Sequence, residues 1–415
     1  MINEQTANPK IASTIQRQVN RAKILRTLRT LQPVARVDLA RETGLSRATV
    51  SSIVDELVLE SLVEEIGATT SRGGRRPILL RVRPGREGRS AIGFELSRNN
   101  LTGVVVDLHG RVIATHRELL PAGQLEPAGL VELVRQQVER LTGPQAPAAH
   151  NLVGIGLGVP GLVNPDTGFV QLAAQFGWHS VPLKEMLEER LKVPVKVMNN
   201  VKAAALGEVI YSNDTPDHSP NPRLYLSLGE GIGSGLIIEG KLLSGASYTA
   251  GEFGHITVAP NGPLCTCGNT GCLEAVAGLP ALVSRYLELA RLEEPNRLTT
   301  TPGEFPFLTS ARFLEAVSAG DRLAGRVVAE AAEQIATALA GVINFTNPEL
   351  IILGGPLGQV GAALLDPLNQ ALRRRALPLP LSQVRLITAS LGVNAAGLGL
   401  GATLISQLSE VVLSR

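Results

Sequence analysis

All three cysteines of the chain fall within eight residues, Cys265, Cys267 and Cys272, and His255 lies ten residues before the first. Three thiolates and one imidazole complete a tetrahedral shell with no open position, the donor set of a structural zinc. A disulfide is disfavoured in a reducing cytoplasm, and unrelated free thiols would be scattered. Gly268 and Gly271 let the backbone fold around an ion. Glu252 precedes His255 by three residues, and Glu274 follows the last cysteine by two. A clip closed on a metal would therefore hold two carboxylates and an imidazole around one point. Ligation would also fix the ring of His255. The plainer alternative for Glu252 and for Glu274 is a supporting or surface role.

A second candidate is "VMNNVKAAALGE", residues 197–208. Val195 to Met198 reads as a buried strand, and the alanine-rich segment ending at Glu208 reads as a helix. Asn199 and Asn200 stand at the turn between them, the place where open α/β sheets bind ligands. Amides hold hydroxyls but do not titrate, so this pair can bind and cannot serve as a base.

The elements that must position these residues follow from periodicity. From Ser90 onward "AIGFEL", "LTGVVVDL" and "RVIATHREL" read as three consecutive strands, with a helix over Leu130–Leu141. "LVGIGLGVPGLV" is a strand entering a Gly/Pro loop whose backbone, Gly158 to Gly161, would approach a ligand. "RLYLSLGEGIGSGLIIEGKLL" starts a second series, closed by a helix over Ala324–Asn344 and the strand "ELIILGG". The repeated order predicts a duplicated α/β lobe. Hydrophobic residues make 44% and charged residues 18% of 415, which excludes disorder. No apolar run reaches membrane-spanning length, and the first residues carry no signal core, so a cytoplasmic protein without membrane partners is expected.

Charge separates the N-terminal part. Residues 1–90 hold 16 Lys and Arg against 9 Asp and Glu, a net +7 in a chain of net +2. A basic module on an acidic body points to a polyanion. In "VDLARETGLSRATVSSIVDELVLESLV", Asp38 is read as the cap of a short helix, Gly44 as a tight turn and Ser46 as the cap of a second helix. Its first turn offers Ser46, Arg47, Thr49 and Ser51 to a major groove. "TTSRGGRRP" between two strands reads as a wing that brings Arg72, Arg75 and Arg76 to the DNA backbone. A helical protein-interaction module with a solvated arginine loop is the competing reading. Turn, wing and charge together favour double-stranded DNA.

"GVPGLVNPDTG", "NNVKAAALGE", "AGEFGHITV", "CTCGNTGCLE" and "IILGG", in this order behind a winged helix, resemble the ROK family of repressors, open reading frames and sugar kinases. The resemblance spans nearly the whole chain. It implies an α/β, actin-like, two-lobed sugar kinase (ribonuclease H-like) fold preceded by a winged helix-turn-helix. The expected parts are a DNA-binding domain over 1–88, a first lobe over 89–200, and a second lobe over 201–415 with the zinc site and a dimerisation surface. It also implies that His255, Cys265, Cys267 and Cys272 hold zinc. A monosaccharide would be bound by Asn199, Asn200, Glu252, His255, Glu274 and Gly161.

The sequence departs from the kinases of the family at three points. Asn200 stands where their proton-accepting carboxylate is expected, with Asp166 as the nearest substitute. Glu95, Leu96, Ser97, Arg98 and Asn99 replace a glycine-rich first phosphate loop. Glu230 stands in the second, "LGEGIGSG", where a carboxylate would repel phosphate. The resulting expectation is a sugar-responsive repressor with no catalytic residue, acting on a two-fold operator as a homodimer or dimer of dimers. The alternatives are an active sugar kinase with an attached DNA-binding domain, a dimerisation scaffold, and an activator.

Overall fold

The computed structural model describes residues 20–21, 23–25, 27–28, 31–60, 62–68, 77–83, 89–107, 110–121, 125–143, 152–212, 221–293 and 309–411. By compactness the chain divides into two units. One comprises Met1–Gly161, Pro165–Met198 and Gly397–Arg415; the other comprises Leu162–Asn164 and Asn199–Ala396.

The first unit begins with a helix-turn-helix. A helix over Arg36–Thr43 ends at Gly44, whose left-handed conformation (φ 66°) turns the chain without a Cβ penalty. The second helix, Arg47–Leu59, starts at Ser46, which accepts from the Thr49 amide at 3.1 Å. It buries Val50, Ile53, Val54 and Leu57 against the module's core. The first of these helices is not capped by Asp38. Its cap position is Ala35, because Val34–Ala35 is held in a sheet opposite Leu80 and Leu79, and Asp38 lies in the first turn. The wing strands, Val63–Ala68 and Ile78–Val82, pair antiparallel with Val63 opposite Val82 and Glu64 opposite Arg81. Arg72, Arg75 and Arg76 lie outside the described residues.

Behind this module lies a five-stranded sheet. Ser90–Leu96, Asn100–Asp107 and Val112–Leu119 form an antiparallel meander, Leu152–Val159 runs parallel to the first strand, and Val195–Asn199 follows at the edge. Ser90–Leu96, Asn100–Asp107 and Leu152–Val159 read as near-continuous apolar runs because most of their residues are buried, whereas Val112–Leu119 at the other edge has no fully buried residue. A Cβ on Gly93 would lie 2.2 Å from the Gly397 carbonyl, so the last helix, Ala395–Val411, packs backbone to backbone on the sheet at a pair of glycines.

The second unit repeats the plan. Arg223–Leu228, Ile232–Ile238 and Lys241–Leu242 form an antiparallel meander; Leu350–Gly354 runs parallel to the first, and Arg385–Thr388 parallel to that. The strand order is the same in both sheets, which is the duplication expected from the sequence. The helix over Arg322–Thr346 supplies twelve buried residues, almost all Ala, Leu, Val and Ile, and forms the centre of this unit's core. Among the described residues no helix is long and apolar enough to cross a membrane.

Candidate sugar and metal site

The metal cluster is built by a short loop with few degrees of freedom. The Cys265 amide donates to the Asn269 carbonyl at 2.8 Å, and the Gly268 amide to the Cys265 carbonyl at 2.9 Å, closing a tight turn. Val258 and Leu273 then tie the loop back, through Gly271 and Ile256, to the short 3-10 turn Phe253–His255. The ligand atoms of His255, Cys265, Cys267 and Cys272 all lie within 4.8 Å of one another. Cys267 Sγ to Cys272 Sγ is 3.7 Å, and Cys265 Sγ to His255 Nδ1 is 3.7 Å. Tetrahedral bonds of zinc length give edges of about 3.8 and about 3.6 Å. The residues therefore fit a closed N/S site for a tetrahedral metal, with Nδ1 as the donor atom of His255. Burial pushes the Cys272 thiol up to about 11, whereas the backbone N–H of Asn269 draws the Cys267 thiol below its usual range. A cation among them reverses the burial effect by favouring the thiolate.

Cys272 also occupies the cap position of the helix Leu273–Ala277, with Glu274 in its first turn. The clip thus joins the turn that follows Glu252 to the helix that carries Glu274. One Glu274 oxygen accepts from the Ile232 amide at 2.9 Å. That amide belongs to the second glycine-rich turn, where the Gly229 amide donates to the Gly231 carbonyl at 3.0 Å. A Cβ on Gly231 would lie 2.7 Å from the same Glu274 oxygen, so a side chain there would push that carboxylate aside. Glu252 and Glu230 are exposed, and His255 and Glu274 half-buried.

Asn199 ends its strand and caps the helix Asn200–Tyr211, its side-chain oxygen accepting from the Lys202 amide at 3.0 Å. That oxygen serves the helix, which leaves Asn200, the half-buried first residue of the helix, as the more available amide. The helix packs on the strand Ile232–Ile238; a Cβ on Gly233 would meet Val201 at 3.0 Å. In its last turns it carries fully buried Glu208, which accepts from the Ser390 and Leu391 amides at 3.2 and 2.8 Å. Sequence reasoning passed over Lys202. This residue is buried, and its ammonium donates to the Tyr248 carbonyl at 2.6 Å. Burial lowers its pKa, and the Glu252 carboxylate opposes that shift. A lysine inside an alanine-rich helix that also holds a ligand-site amide was the available signal.

Asn199, Asn200, Glu252, His255 and Glu274 thus all lie in the second unit, on elements linked through one strand and one loop. Gly161 lies in the first unit. It turns the chain after Leu152–Val159 with φ 117°, and a Cβ there would overlap the Leu172 carbonyl at 2.1 Å. Asp166 sits in an exposed turn of the first unit. The turn at residues 97–100, where the resemblance to the family's kinases leads one to look for a phosphate loop, is closed on itself: the Ser97 amide and hydroxyl both donate to the Asn100 carbonyl, at 2.9 and 3.0 Å. At the start of the helix Arg47–Leu59, Ser46 and Arg47 are exposed, Thr49 and Ser51 half-buried, and the Ser46 and Thr49 hydroxyls pair at 2.8 Å.

Comparison with known proteins places this geometry. The family model described as "ROK family" matches residues 91–407. The xylose repressor of Caldicellulosiruptor bescii is 31% identical over 397 residues, covering 95% of this chain and 97% of that protein. A crystal structure of a ROK family transcriptional regulator, a homologue of the Escherichia coli MLC protein, aligns with a TM-score of 0.80 at 27% identity, over 96% of this chain and 98% of that one. A ROK family glucokinase from Streptomyces griseus, in complex with glucose and AMPPNP, aligns with a TM-score of 0.67 at 29% identity, over 76% of this chain and 98% of that one.

Proposed function

This chain belongs to the ROK family, and we propose that within it the protein is a sugar-responsive transcriptional repressor that binds without turnover. The observation that carries this is the recognition helix, capped by Ser46 and presenting Arg47 at its exposed start, on a chain that aligns almost end to end with a xylose repressor. The module over 1–88 holds double-stranded operator DNA through Ser46, Arg47, Thr49 and Ser51, with Arg72, Arg75 and Arg76 of the wing on the backbone. Two copies are needed to place recognition helices in successive major grooves, so the working form is a homodimer or a dimer of dimers in the cytoplasm.

Behind that module, in the lobes over 89–200 and 201–415, the second unit holds a monosaccharide through Asn200, Glu252, His255 and Glu274, with Asn199 shaping the turn. His255, Cys265, Cys267 and Cys272 hold zinc. The ion would act structurally: a closed shell leaves no position for substrate, and ligation through Nδ1 leaves the other nitrogen of His255 to face a hydroxyl. The sugar releases the operator only by preferring the conformation that binds DNA poorly.

Absence of catalysis is supported by four features. Asn200 cannot accept a proton at neutral pH. The Ser97 turn is closed by its own hydroxyl, and the Ile232 amide is taken by Glu274. Glu230 adds an exposed negative charge to that second turn. The glucokinase alignment is the observation behind the alternative, an active kinase with a DNA-binding module.

The test is fluorescence anisotropy on DNA from upstream of the protein's own gene, with D-xylose, D-glucose or N-acetylglucosamine added. The expected result is specific binding released by one sugar. Binding untouched by every sugar would remove the sensor reading. ATP consumption on any of these sugars would replace it with the kinase.

A further inference from the structure

Residues 243–252 cross from the strand Lys241–Leu242 to the 3-10 turn Phe253–His255 without regular secondary structure. Such a segment has few ladder bonds to fix it, yet it delivers Glu252. Two side chains from outside pin it. Ser234, on the central antiparallel strand, donates its hydroxyl to the Gly251 carbonyl at 2.7 Å. Lys202, on the helix that starts at Asn200, donates its ammonium to the Tyr248 carbonyl at 2.6 Å. Tyr248 itself has φ 62°, a left-handed conformation that a side-chain-bearing residue keeps only when its surroundings impose it. The Lys202 bond falls on that strained residue.

Burying an ammonium is costly without compensation. Lys202 is 7% exposed, and its compensation is the Tyr248 carbonyl together with the field of the Glu252 carboxylate. A methionine is similar in length and has no charge to bury, so filling the space does not by itself call for a charge here. The ammonium also offsets negative charge in a region that already contains Glu230, Glu252 and Glu274.

We infer that Lys202 is a positioning residue for effector recognition, holding the loop of residues 243–252 so that Glu252 meets a sugar hydroxyl next to Asn200. It acts through Glu252 and contacts no ligand. The inference rests on the sugar-binding reading of this site.

The experiment is titration calorimetry of the full-length, zinc-loaded protein with D-xylose, D-glucose and N-acetylglucosamine. The variants are Lys202→Met, Glu252→Gln and the double substitution. We expect Lys202→Met to weaken the bound sugar at least tenfold while leaving zinc content and sugar-free operator affinity unchanged. In the Glu252→Gln background the same substitution should cost less than threefold, because its effect passes through Glu252. Lys202→Gln, shorter and uncharged, carries the same comparison should Lys202→Met not fold. Lys202→Arg, which keeps a charged donor, should recover most of the affinity. Equal loss in both backgrounds would make Lys202 merely structural, and wild-type affinity in the variant would overturn the inference outright. If the wild-type protein bound none of the sugars, the sugar-binding reading itself would fall, and this inference with it.

Discussion

The glycine-rich turn at residues 228–232 and the cysteine clip at residues 255–272 belong to the same unit, yet they use their polar atoms in opposite ways. In the turn the amides point at partners inside the protein: Gly229 at Gly231, and Ile232 at Glu274. In the clip four ligand atoms converge to within 4.8 Å at the spacing of a tetrahedral metal. Glycine density, two in five residues against three in eighteen, would rank the turn as the richer site, and counting available donors reverses that order. Glu274 joins the two regions. It sits two residues beyond the last cysteine and closes the turn, so the turn's amide supports the carboxylate beside it.

The sharpest way to break this comparison is to open the clip. Cys272→Ser removes a fully buried ligand that also occupies the cap position of the helix bearing Glu274. Metal analysis should fall from about one zinc per chain to none, with a loss of several kcal/mol in denaturant stability, since structural zinc contributes directly to folding. Sugar binding should disappear with it. A variant that kept both metal and stability would show that the clip is four side chains near one another and nothing more.

Glu274 separates the two roles with a smaller effect. Glu274→Ala leaves the buried Ile232 amide unpaired, at a cost of about 1–3 kcal/mol, and removes a sugar acceptor. Glu274→Gln keeps an oxygen for the amide. It should recover most of the stability, read by urea unfolding, while sugar affinity stays at least tenfold down. Equal loss of stability in both variants would assign the carboxylate's importance to its charge rather than to the amide.

The recognition helix extends the contrast to a region whose polar atoms face solvent. Arg47→Ala should weaken operator binding several-fold and lower the salt dependence by about one counterion, measured by anisotropy at three salt concentrations. Sugar affinity should not change. Ser46→Ala should instead cost about 1 kcal/mol of stability, since its hydroxyl caps the helix. A change in salt slope for Ser46→Ala would move it from cap to phosphate contact.

These regions were legible to different degrees, for physical reasons. Gly44 and Ser46 were read correctly because a left-handed turn and an N-cap are decided by the residues themselves. The clip was read from spacing alone, because metal ligands must lie close in sequence when one tight loop carries three of them. Asp38 was misplaced because Val34–Ala35 pairs with a strand more than forty residues away, and that pairing sets where the helix begins. The Phe169–Ala173 and Trp178–Val181 hairpin was not anticipated, since Ser180 enters a positive-φ conformation that no local pattern announces. Lys202 and Glu208 were passed over for a related reason. A lysine or glutamate on a helix is ordinarily solvated, and only loops 46 and about 180 residues onward bury these two.

The smallest expected effect is the most discriminating. Asn200→Asp places a carboxylate at the start of the site helix, where the resemblance to the family's kinases leads one to expect a base. If the missing base were the only obstacle, ATP-dependent phosphorylation of D-glucose or D-xylose would return. The two turns argue that it will not. Ser97 and Asn100 close the first on itself, and Glu230 and Glu274 place negative charge on the second. A like charge 4 Å from a phosphate costs about 1 kcal/mol in water and about 4 kcal/mol near a protein surface, and a carboxylate at residue 200 does nothing to relieve it. A coupled ADP assay on Asn200→Asp should therefore stay at background while sugar affinity changes only a few-fold. Turnover above background would mean that the turns can release their amides to a nucleotide, and the contrast between turn and clip would then be one of occupancy rather than of structure.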